Sequence, residues 1–140
     1  MNDLCLSREW DHLPPLNEII EGIDAFISHC FQLSFISKGR FVSRIQREGH
    51  SVSPFLLQSI LSISAEWTPS LIERFGSGTK ATGIFMKNAT ELSVKKVYEH
   101  PSLGTCQAFY LLGIAQERAG WKNSSYVSAS QQTASLFGLC

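Results

Sequence analysis

The sequence predicts an all-α fold, an array of about six helices arranged as antiparallel helical hairpins, with no sheet. Three observations predict it. Apolar residues recur at steps of three and four over long stretches, which is the helical period. Proline and glycine divide the chain into helix-length segments with short connections between them. The longest uninterrupted apolar run, Ala108 to Ala115, is poor in the β-branched residues a buried strand would favour.

The first fifteen residues set Asp3, Glu9 and Asp11 against Arg8 and end in Pro14-Pro15, which blocks a helix and forces an extended entry. They read as a leader, 1–15, ahead of a single helical domain, 16–140. Leu16, Ile19, Ile20, Ile23, Phe26, Ile27, Cys30 and Phe31 then define a helix over about 16–32. Phe41, Val42 and Ile45 predict a short helix whose other face carries Arg40, Arg44 and Arg47, closed by Gly49.

Ser53-Pro54 is a cap followed by proline at the first helical position, and the residues from Phe55 to Trp67 are apolar on most sides. That helix should be central. Thr68-Pro69 ends it, Leu71, Ile72 and Phe75 make a further turn or two, and Gly76-Ser77-Gly78 forms a joint. A long helix follows from about Lys80 to Glu99, with Ile84, Phe85, Ala89, Leu92, Val97 and Tyr98 expected inward and Gly83 as a soft spot. After His100-Pro101-Ser102 a buried helix runs from Thr105 to Arg118 and ends before Gly120. The last segment, Ser124 to Leu139, is small and polar and is expected to pair with the helix before it.

Composition bounds the function. The chain of 140 residues is 44% hydrophobic and 17% charged, with 12 basic and 12 acidic residues and no net charge. A core is available, whereas the basic excess of a stand-alone nucleic-acid binder is absent. No apolar run reaches the roughly 20 residues that cross a bilayer. Cys5, Cys30, Cys106 and Cys140 are widely spaced without a C-x-x-C pair, so they read as reduced thiols rather than metal ligands.

The sequence offers no catalytic motif. Gly76-Ser77-Gly78-Thr79-Lys80 fails as a phosphate loop because Glu73 stands where its first glycine belongs and Thr79 separates Gly78 from Lys80. His12, His29, His50 and His100 are scattered, and no serine lies in a nucleophile elbow. The chain is read as no enzyme, with no catalytic or metal-binding residue. Trp67, Gln107, Tyr110 and Trp121 are candidate lining for an effector pocket, although core packing is the commoner fate of such aromatics. Arg40, Arg44 and Arg47 are the candidate face for an acidic partner or phosphate, against the alternative of a solvated face.

Three ordered stretches carry a family resemblance. Leu16 to Phe41 is an aromatic-containing opening helix with its turn; Ser53 to Ala65 is a proline-led helix of leucines and small residues. Pro101 to Gly113 holds the pair Gln107-Ala108 in a leucine-containing helix, followed by Gly120, Ala134 and Phe137-Gly138-Leu139. Together they resemble the amino-terminal portion of the fungal-specific transcription factor domain, the middle homology region of fungal zinc-cluster transcription factors. Ser128, Ser130 and Gln132 depart from that family's usual glycine, alanine and arginine.

The resemblance implies a nuclear, noncatalytic regulatory module that is effector-responsive or dimer-supporting, with protein partners or a second copy of itself. It implies that DNA is bound through a separate zinc cluster, so that no cofactor is expected in this chain. It also implies that 16–140 is a fragment of a larger domain. Two other classes compete. A tetratricopeptide-like scaffold would place Leu112-Gly113 and Gly120 at its repeat spacing but needs a second 34-residue copy. A small helical metabolite-binding protein would use the Trp67, Gln107, Tyr110 and Trp121 pocket.

Overall fold

A computed structural model describes residues 13–29, 38–48, 52–98 and 102–119. Among them are six α-helices and no strand: α1 (Leu16–His29), α2 (Lys38–Glu48), α3 (Pro54–Ser64), α4 (Pro69–Phe75), α5 (Gly78–Lys96) and α6 (Leu103–Arg118). One turn of 3-10 helix, Ala65–Trp67, extends α3. The all-α expectation holds. Residues 1–12 of the expected leader, the closing residue Gly49 and the segment 124–139 lie outside the described residues.

Local chemistry explains the boundaries. Pro54 and Pro69 open α3 and α4, where a missing N–H is harmless. Ser53 stands at the cap of α3, yet its side chain makes no capping hydrogen bond, so proline alone sets that start. Ser77 and Ser102 do cap, accepting from the N–H of Lys80 and Thr105 at 3.1 Å each. Gly76 ends α4 at φ 97°, a left-handed conformation that glycine adopts without a Cβ clash.

Helix α3 is the axis of the fold. All eleven of its residues are buried, and it packs on α1, α5 and α6, while α4 bridges α1 and α5. Leu57, Ile60 and Leu61 are wholly inaccessible, and Phe55 meets Phe109 of α6 edge to face at 5.0 Å. Phe75 meets Phe85 in the same geometry at 5.4 Å, joining α4 to α5. Three hydroxyls in this apolar mass are returned to the backbone, Ser62, Thr90 and Ser93 donating to the Ser59, Met86 and Thr90 carbonyls, whereas the buried hydroxyls of Ser59 and Ser64 have no hydrogen-bond partner among the described residues.

The expected inward face of α5 is only partly correct. Phe85 and Ala89 are buried and Leu92 is half-buried, but Ile84, Val97 and Tyr98 are exposed, Tyr98 by 88%. The helix ends at Lys96, so Val97 and Tyr98 fall in the turn beyond it, where helical spacing no longer sets direction. Cys106 corrects a second expectation. It is fully buried and disulfide-bonded, and the absence of a local C-x-x-C pair carried no information about long-range pairing.

A polar clamp fastens α1 to α4. Arg74 donates through Nε and Nη2 to the two carboxylate oxygens of Glu18, at 2.7 and 2.6 Å, and Ser70 donates to Glu21. Those hydrogen bonds, with the nearby charge, hold the Glu18 carboxyl below the ordinary glutamate value of 4.5 against the opposing effect of burial. A depressed native pKa stabilises the fold above the unfolded value, and that contribution is lost as pH falls through the native one. Urea midpoints measured from pH 7 down to pH 3 should therefore decline below about pH 4.5. Glu18→Gln should lower the midpoint modestly at pH 7, because Arg74 is half exposed, and should flatten the acid decline.

Candidate functional site

Where α3 gives way to its 3-10 turn, it meets the start of α5 and the end of α6, and the three surfaces do not close on one another. An open cavity of about 330 Å³ remains. Its apolar floor is Ile63, Met86 and Ala115; Ser62, Thr79 and Thr82 supply hydroxyls; Glu66 and Arg118 supply opposite charges. Two glycines of α5 act here, Gly78 on the approach of the helix to the turn and Gly83 on the cavity lining. A Cβ on Gly78 would sit 3.1 Å from Cα and Cβ of Glu66, so glycine lets α5 begin tight against the turn. A Cβ on Gly83 would meet nothing within 4 Å. Gly83 thus leaves an opening in the cavity wall.

Arg118 is held in place from two sides. It donates to and pairs with Glu66, and its guanidinium lies over the Trp67 ring, 4.9 Å from the centroid. His29, the last residue of α1, stacks on the same indole at 4.4 Å and 8°. Its Nδ1–H donates to the Ala25 carbonyl at 2.9 Å. The row His29, Trp67, Arg118 and Glu66 therefore orders one edge of the cavity. The ion pair is 43% and 38% exposed, so it is weak, about 0.2–1 kcal/mol for pairs of this kind, and opens readily.

The proposed effector lining is not assembled as the sequence suggested. Trp67 is half-buried beside the cavity's charged edge, and Gln107 and Tyr110 are half-buried on α6. Arg118, which covers Trp67, lies eleven residues from Gln107, about 16 Å along the helix. None of Trp67, Gln107 and Tyr110 lines the cavity, and Trp121 lies outside the described residues. The residues that do line it carry a faint sequence signal: Ser62, Thr79, Thr82 and Gly83 are small or polar where helices face one another.

Arg40, Arg44 and Arg47 are all exposed on α2, opposite buried Ile45 and half-buried Phe41 and Val42. The solvent-facing arginine side read from the sequence is present. Among the described residues no cluster of His, Cys, Asp and Glu could hold a metal ion, and no helix is long and apolar enough to cross a membrane. No protein-family model, curated protein or solved structure matches this chain.

Proposed function

We propose that this chain is a noncatalytic regulatory module of a fungal zinc-cluster transcription factor, acting in the nucleus through protein contacts or an effector. DNA binding in this reading belongs to a separate zinc cluster. The observation that carries it is the order of the three resembling stretches: the second is the central helix α3, and the third opens α6 behind its Ser102 cap. The exposed arginines of α2 supply a face for an acidic partner. An open cavity edged by opposite charges suits an effector.

The test is a reporter assay of the full factor against one lacking residues 16–140. The deletion should change basal transcription or abolish the response to inducer, by tenfold or so if the module supplies a coupling of about 1.4 kcal/mol. Unchanged basal activity together with an unchanged inducer response would sink the reading.

A further inference from the structure

We infer that the cavity between α3, α5 and α6 binds a small zwitterion of the α-amino acid class bearing an apolar side chain. Three features point to that chemistry. The volume, about 330 Å³, is at the small end of the roughly 300–1,000 Å³ range of ligand pockets. The floor of Ile63, Met86 and Ala115 accepts an aliphatic group. The edge presents one carboxylate and one guanidinium, Glu66 and Arg118, already adjacent and joined by a weak, half-exposed pair.

Charge balance selects the zwitterion over a simple acid or amine. A lone carboxylate on Arg118 would displace Glu66 and stand beside its negative charge; a lone ammonium on Glu66 would leave Arg118 without its partner. A ligand with both groups exchanges one ion pair for two, its carboxylate on Arg118 and its ammonium on Glu66. Trp67 is the positioning residue that keeps the guanidinium at the edge. This inference deepens the effector-responsive part of the regulatory reading and rests on it for its consequence in the cell. Binding to the purified chain and inducer response in a reporter are separate measurements, so either can fail alone.

The experiment uses the 140-residue chain in thermal unfolding and calorimetric titration with four probes. L-leucine and L-methionine are the zwitterions, 4-methylpentanoate lacks the ammonium, and 3-methylbutylamine lacks the carboxylate. At about ten times Kd either amino acid should raise Tm by on the order of 5 °C, while the singly charged probes should give tenfold weaker binding or none. Arg118→Gln should abolish the shift. Gly83→Leu should also abolish it by filling the space in which a Cβ meets nothing, while its ligand-free Tm is unchanged or raised. No shift with either amino acid, equal shifts with a singly charged probe, or undiminished binding to a folded Gly83→Leu variant would overturn the inference.

Discussion

Phe109→Ala should remove about 3–5 kcal/mol of stability, the usual cost of truncating a fully buried phenylalanine. Phe109 projects from α6 into the seam with α3, where its ring meets Phe55 edge to face at 81°. Neither ring reaches water. Truncation loses the transfer free energy of the ring, the dispersion contacts along that seam and the aromatic pair itself, worth about 0.5–1.5 kcal/mol. The cavity cannot close easily, because α3 is already packed against α1 and α5 as well. A domain of this size has about 5–15 kcal/mol in total, so the variant should unfold at a much lower urea concentration or fail to fold at 37 °C. Phe109→Leu keeps much of the volume and should lose far less. A Phe109→Ala midpoint within error of the parent would mean that α6 does not pack on α3 as described.

The centre of this fold was legible in the sequence because burial on all sides leaves no ambiguity of direction. From Phe55 to Ala65 almost every position is apolar or small, and all are buried whatever the helical phase. The run Ala108 to Ala115 was legible for a similar reason, with six of its eight residues buried and only Tyr110 and Ile114 half-buried. Peripheral elements depend on phase and on where a helix stops, and there the reading failed. Tyr98 was placed inward on a helix running to Glu99; the helix ends at Lys96 and the ring is in solvent. Arg40, Arg44 and Arg47 were legible because charge spaced at i, i+4 and i+7 opposite an apolar side has one physical solution.

The candidate site was far less legible, since a cavity is made by what facing helices lack. Trp67, Gln107, Tyr110 and Trp121 drew notice as large or polar side chains, but large side chains fill space. The opening comes from Gly83, Ala115 and Ala119, whose small size becomes meaningful only once α5 and α6 are placed beside each other. Glu66 and Arg118 are 52 residues apart, and nothing in local spacing announces that pair. Cys106 failed for a parallel reason: long-range disulfide partners share no local pattern.

The second large effect contrasts two glycines in helices. At Gly22 of α1 an added Cβ would lie 2.3 Å from Cδ2 of Leu61, a distance at which something must move. Leu61 belongs to fully buried α3 and has no accessible surface of its own, so its methyl has nowhere to swing and α1 must lift. Lifting α1 loosens Ile19, Ile23 and Phe26, each contributing about 1.5–3 kcal/mol of burial, and strains the clamp between Glu18 and Arg74. Gly22→Val should therefore cost about 3 kcal/mol or more, above the usual 1–3 kcal/mol for overpacking. At Gly83 of α5 the same arithmetic changes sign. Nothing stands within 4 Å of an added Cβ, and relief of backbone entropy should make Gly83→Ala more stable by about 0.5–1 kcal/mol. Urea unfolding of Gly22→Ala beside Gly83→Ala separates helix propensity, common to that pair, from close approach, which acts only at Gly22. Equal effects of one sign would show that α1 does not rest on α3 at contact distance.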